Sequence, residues 1–135
     1  MRLWHQDLIP KLPRQQLLGQ WRECIALLGN GWGRKHKTVD YVFTHPESYL
    51  TAYSYQVYLE MERRGYHPDL QRIWSALRKR NLTYKEIDNC FTQMYQFSKI
   101  IYPEHNEQYY QECIDNLKSK NIELEGVDYA KRTNG

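Results

Sequence analysis

The residues best placed by type and spacing to do chemistry lie at the start of the chain. Met1 is followed by Arg2, a residue too large for routine removal of the initiator, so the expected mature terminus is the α-amine of Met1. An α-amine has a reference pKa of about 7.7–8.0, against about 10.4 for lysine. At pH 7 roughly one α-amine in ten is neutral, against fewer than about one lysine in a thousand. Only the neutral form is a nucleophile. A cationic neighbour such as Arg2 or Arg22 lowers that pKa further. Every chain has such a group, so the amine acquires meaning only from what surrounds it.

The element that must position its partners is the first helix. Leu17, Leu18, Trp21, Cys24, Ile25 and Leu28 recur at the 3.6-residue period and predict an apolar stripe. Gln15, Gly19, Arg22, Glu23 and Ala26 fall on the opposite side. Arg22 and Glu23 follow Gly19 by one turn on that face. A glycine inside a helix costs roughly 1 kcal/mol relative to alanine, and close approach of another backbone is one reason to keep it. The face thus offers a shallow notch flanked by a carboxylate and a guanidinium. An ordinary amphipathic helix with solvated charges has the same pattern.

Leu12, Gln15, Leu17, Arg22 and Glu23, the Leu-Leu-Gly at residues 27–29 and then Arg34-Lys35-His36 resemble the opening of the pyrimidine-dimer DNA glycosylases of the phage and algal-virus type. Trp21-Arg22-Glu23 matches that family's aromatic-Arg-Glu element, and Met1-Arg2-Leu3 matches its start. The likeness is strongest over roughly the first 36 residues, looser in the tyrosine-rich middle and poor in the last third. The resemblance implies a small all-helical enzyme with no metal and no organic cofactor, acting on damaged double-stranded DNA. It implies that the Met1 amine attacks the sugar C1′ and displaces the base. An imine then forms, and β-elimination cuts the strand on the 3′ side. It gives Glu23 the role of stabilising the sugar cation and moving protons, and Arg22 that of holding a phosphate or lowering the amine pKa. It makes Arg2, Gln15, Trp32, Arg34, Lys35 and His36 the expected DNA contacts. The chain departs from the family at Gln16, where a histidine is usual, at Ala26, where an arginine is usual, and in its C-terminal part. There the family's aromatic, lysine-containing tail is replaced by Glu104, Glu107, Glu112 and a lone Tyr129. These departures leave open the lesion, and whether cleavage is retained.

Composition fits this frame. A length of 135 residues is that of one domain with a real core. No apolar run approaches the ~20 residues of a membrane span, and the first residues lack the long apolar segment expected of a signal peptide. The expected setting is the cytoplasm. Three cysteines with no CxxC spacing, Cys24, Cys90 and Cys113, all sit on apolar stripes and read as reduced core residues. The five histidines are scattered, with no HxxxH pair to hold a metal. Residues 1–80 hold thirteen Lys/Arg against seven Asp/Glu, while residues 81–135 hold six against nine. A basic half permits nucleic-acid binding on one side. Two other readings are compatible: a non-catalytic DNA-binding protein using the same basic half, and a helical protein–protein interaction domain with a tyrosine-rich interface.

Along the chain, the pattern predicts a single all-α domain of four to five helices. Residues 1–11 are expected as an extended arm, and Pro13 opens the first helix, which runs to about Leu28. Gly29 is expected as a left-handed cap. The loop of residues 29–37 combines three glycines, Trp32 and the cations Arg34, Lys35 and Lys37. It suits a phosphate contact with a stacking or wedging ring, or a solvated loop with Trp32 tucked back. Residues 38–43 read as an extended connector. Further helices are expected over residues 47–64, 67–80, 84–101 and 104–120. Gly65 caps the second, a Thr83–Glu86 capping box starts the fourth, and residues 121–135 form a frayed tail.

Overall fold

The chain is all helical, as a computed structural model that describes residues 2–35, 37–97 and 99–124 shows. Five α-helices follow one another: α1 (Arg14–Leu28), α2 (Glu47–Arg63), α3 (Gln71–Arg78), α4 (Tyr84–Met94) and α5 (Glu107–Ser119). Two short 3-10 helices, Gln6–Lys11 and Asp40–Thr44, lie before α1 and before α2. Among the described residues there is no strand, and no helix is long and apolar enough to cross a membrane.

Helix α2 is the centre. It packs against α1 on one side and α4 on the other, and the 3-10 helix of residues 6–11 also lies on it. Leu50, Tyr53, Val57 and Met61 on it are buried, while Tyr58 is only half-buried. Ser48, Thr51 and Ser54 are buried as well. They can be, because the Thr51 and Ser54 hydroxyls donate to the carbonyls of Glu47 and Leu50, one turn back. Small side chains there let neighbours approach the helix on more than one face. At its end, Gly65 takes φ 89°, with the Gly65 and Tyr66 N–H groups returning to Glu62 and Met61. This is the Schellman arrangement expected for that glycine. Asn121 does the same after α5, at φ 62°.

Several expectations need correction. Residues 2–12 are not an extended arm: Gln6–Lys11 is helical, and Leu3, Trp4, Leu8, Ile9 and Leu12 are in the core. Gly29 is not left-handed, having φ −96°. The chain turns instead because the Gly31 N–H donates to Ala26 O, and a Cβ on Gly31 would lie 2.8 Å from that oxygen. The positive φ of this loop belongs to Gly33, at 78°. The connector of residues 38–43 is in part the second 3-10 helix. Val39 and Val42 are both fully buried, and a three-residue turn brings them to one side. Helix α4 begins at its capping box but stops at Met94, well before Ile101. The Ile101 N–H is needed elsewhere and donates to Gln6 Oε1 at 2.9 Å. Helix α3 is shorter at both ends than expected, its first N–H groups being held by Asp69. Helix α5 starts at Glu107, where Asn106 Oδ1 caps the Tyr109 N–H. Most of the tail expected to fray lies outside the described residues; Leu124, within them, is buried.

All three cysteines are free and buried. The tyrosines turn inward: Tyr53, Tyr102 and Tyr110 are among the largest fully buried side chains. Tyr84 and Tyr95 are exposed.

Candidate active site

The first residues of the chain are held by their backbone. The Arg2 carbonyl accepts from Gln20 Nε2 at 3.1 Å, and the Leu3 carbonyl from the Tyr109 hydroxyl at 2.5 Å. The Trp4 N–H donates to Gln20 Oε1 at 2.7 Å. The Trp4 carbonyl accepts from the Tyr53 hydroxyl at 2.5 Å, with Gln20 Oε1 3.0 Å from the same hydroxyl. The Gln6 N–H donates to His105 Nδ1 at 3.2 Å. A buried backbone group left unpaired would cost a lost hydrogen bond. Here α1, α2 and α5 each supply a partner.

His105 is neutral in this setting. Burial, with His5 beside it, pushes its pKa down to about 3. Since Nδ1 accepts, the ring proton is on Nε2, which donates to the Tyr41 oxygen 2.7 Å away. Burial raises the Tyr41, Tyr53 and Tyr109 phenols, so they stay protonated as donors.

Glu23 stands beside this segment. Gln20 Nε2, the nitrogen that holds the Arg2 carbonyl, is 3.4 Å from Glu23 Oε2. Arg2, Trp4, Glu23, Thr38, Asn116 and Lys120 line one cleft of about 270 Å³. Its floor and walls come from the N-terminal segment, α1, the loop before α2, and α5. Lys120 Nζ lies over the Trp4 ring at 5.4 Å, and the Arg2 guanidinium over Tyr109 at 5.9 Å. Among the described residues Asn116 Oδ1 is buried without a hydrogen-bond partner. One carboxylate between two cations, Arg2 and Lys120, in a half-enclosed space is suited to an anionic ligand that develops positive charge as it reacts.

A larger cleft of about 350 Å³ lies between the first 3-10 helix and α2. Asp7 and Glu60 are its carboxylates, and Glu60 is engaged by Arg63 and by Arg64 at 2.6 Å. Those bonds hold its pKa low against the cost of burial. Its chemistry is that of a closed ion pair. Cys24, next to Glu23, is no competing nucleophile, because burial pushes its thiol up to about 12. Among the described residues no three His, Cys, Asp or Glu side chains converge to hold a metal.

The other expected site residues are spread out. Met1 and His36 lie outside the described residues. Arg22 is exposed and folds back over Gly19, so a Cβ there would meet its guanidinium at 3.8 Å. The notch is thus covered by Arg22, and Glu23 opens to the other side. Gln15 is exposed, eight residues before Glu23 on α1, ~12 Å along the axis. Arg34 and Lys35 are exposed in the loop that runs on to Thr38 at the cleft. Trp32 is tucked back: its ring packs edge-on against Phe43, centroids 5.0 Å apart, and Arg80 covers it at 4.4 Å.

Gln20, Tyr109, Asn116 and Lys120 are cleft or support residues that the sequence reading missed. Gln20 had a signal, being a polar residue on the Leu17–Trp21–Cys24 stripe that is only 1% exposed. Such a residue must be hydrogen-bonded. The α5 residues had none, since their placement depends on packing across about a hundred residues of chain.

The model for the family described as pyrimidine dimer DNA glycosylase matches residues 1–74, more than half of the chain. This region holds the N-terminal segment, α1 and α2, and so Glu23, Gln20 and Tyr53. No curated protein and no solved structure matches the chain. With a matched region of that extent, the chain belongs to the pyrimidine dimer DNA glycosylase family.

Proposed function

We propose that the protein is a DNA-repair glycosylase with AP-lyase activity that works through an imine on the Met1 amine. Family membership supports base removal from DNA as the reaction class. In the proposed sequence the amine lone pair forms a bond to C1′ as the C1′–base bond breaks, and the base leaves with that electron pair and takes up a proton. The nitrogen then gives up a proton, its lone pair forms the C1′=N bond of the protonated imine as the C1′–O4′ bond breaks, and O4′ takes up a proton. Loss of a C2′ proton forms the C2′=C3′ bond and expels the 3′ phosphate. Glu23 stabilises the cationic sugar and accepts the proton. Arg22 and Arg2 meet phosphate beside it, and Gln15, Arg34, Lys35 and His36 extend the contact along the duplex. Trp32 acts through the loop whose base it anchors. A damaged pyrimidine pair is the substrate that the family name favours.

The observation that carries this reading is the shared amide of Gln20. It bonds the carbonyl of Arg2 at 3.1 Å and reaches the Glu23 carboxylate at 3.4 Å. The residue next to the amine therefore sits beside a half-buried carboxylate in a cleft. The test is incubation with an abasic duplex and with ultraviolet-irradiated duplex in the presence of borohydride. A covalent protein–DNA adduct is expected with both. Salt-dependent binding with no adduct and no incision would favour the non-catalytic DNA-binding reading.

A further inference from the structure

We infer that Gln20 is a positioning residue of the reaction, the group that sets the distance between the N-terminal segment and the Glu23 carboxylate. The inference rests on the glycosylase and lyase reading of the cleft and adds to it a residue outside the reacting set. Gln20 is 1% exposed. Its side chain makes four contacts, and their chemistry fixes its orientation. The Trp4 amide can only donate, so the atom it meets at 2.7 Å is the carbonyl oxygen. The other end is then the NH₂ group. One of its protons goes to the Arg2 carbonyl and the other is directed to Glu23 Oε2. No other proton is left on that nitrogen, so both of its partners are set by one rigid plane.

The support behind Gln20 has the same character. The Tyr53 hydroxyl lies within 3.0 Å of the carbonyl oxygen, and burial keeps that phenol protonated. A glutamine free to rotate could not hold two elements in register. This one is held at Oε1 by the Trp4 N–H, with the Tyr53 hydroxyl packed 3.0 Å from the same oxygen and its proton on the Trp4 carbonyl. Its NH₂ group thus faces the gap between Arg2 and Glu23. A shift of even an ångström between a nucleophile and its acid–base partner can cost about a hundredfold in rate. The third atom of such a geometry is what Gln20 supplies. Buried as it is, Gln20 offers no surface to DNA, so its effect is expected in the chemical step and not in binding.

The experiment compares native protein with Gln20→Met, which keeps length and burial but removes every hydrogen bond. Single-turnover adduct formation on an abasic duplex with borohydride gives the rate. Binding to a duplex carrying an uncleavable tetrahydrofuran abasic analogue gives the affinity. Gln20→Met is expected to lower the rate at least tenfold with Kd within twofold of native. Met94→Ala, a core truncation on α4, serves as the control for lost stability and is expected to keep the native rate at a temperature where both are folded. Should Gln20→Met fail to fold, Gln20→Asn is read in its place; it keeps an amide that is one carbon too short to span the gap, and the same tenfold loss is expected. An adduct in the native protein with an unchanged rate in the folded Gln20 variant overturns the positioning role alone. A fall in rate matched by Met94→Ala also overturns it. No adduct in the native protein overturns the lyase reading, and the positioning role falls with it.

Discussion

Glu23 and Gln20 lie one turn apart on α1, and the carboxylate of one is 3.4 Å from the amide of the other. That spacing makes Glu23 part of the framework of the N-terminal segment, not a solvated charge on a helix face. Glu23→Gln keeps the shape of the side chain but removes its charge. General acid–base loss is typically worth about 10²–10⁴-fold, or ~3–5 kcal/mol of barrier. The variant should fold normally, bind abasic duplex at least as well as native because one negative charge near phosphate is gone, and cleave at least about a hundredfold more slowly. Gel-based single-turnover incision measures this. Cleavage at near-native rate would remove Glu23 from the mechanism.

The loop cations give a second prediction. Arg34 and Lys35 are exposed, and so is Arg22, over Gly19 on α1. Replacing any one by glutamine should weaken binding to every duplex sequence and reduce the slope of log K against log salt by about one unit. Fluorescence anisotropy across a salt series reads both. Native slopes in all three variants would turn the basic half away from DNA.

Gly31 offers a test of how that loop is held. A Cβ there would meet Ala26 O at 2.8 Å, a backbone atom that cannot swing aside. Gly31→Ala should cost about 1–3 kcal/mol of stability, as overpacking does. Because the same turn aims Arg34 and Lys35, DNA binding should fall with it. Denaturant unfolding and anisotropy on the same sample separate the two effects. Full native stability would show that the turn accommodates a side chain.

Stability should depend on pH through His105. In the unfolded chain its pKa is near 6.5, whereas in the fold it is pushed down to about 3. Between those values the unfolded chain holds a proton that the native state refuses. Its contribution is therefore whole above pH ~6.5 and declines as pH falls, by up to ~1.4 kcal/mol per unit and ~2 kcal/mol at pH 5. Urea unfolding at pH 7 and pH 5 should show that loss. His105→Gln, which can still accept from the Gln6 N–H, should reduce it. An identical pH dependence in the variant would contradict the neutral, accepting ring.

What could be read in advance follows a physical line. The apolar stripe of α1, the capping box at Thr83 and Glu86, the Gly65 cap and the burial of Cys24, Cys90 and Cys113 depend on neighbours within a turn or two. All of these were legible from the pattern of residues. The N-terminal segment was not. Its order comes from Gln6 meeting Ile101 and His105, and from Leu3 meeting Tyr109. Nothing local to residues 2–8 announces those partners. The early end of α4 has the same origin, since Ile101 serves Gln6 instead of a helix. For the candidate site, Arg22 and Glu23 could be named from the family element, whereas the far wall of the cleft on α5 could not. Trp32 shows the limit of composition: a tryptophan among glycines and cations reads equally as a wedge or an anchor, and Phe43 and Arg80 decide for the anchor.

The amine of Met1 is the proposed nucleophile. Native protein should be trapped on abasic duplex with borohydride, digested, and the adduct located by mass spectrometry. A single modified site is expected, the α-nitrogen of Met1, with no adduct when that nitrogen is acetylated or carries an added N-terminal tag. An adduct on a lysine, or equal trapping of tagged and untagged protein, would contradict it.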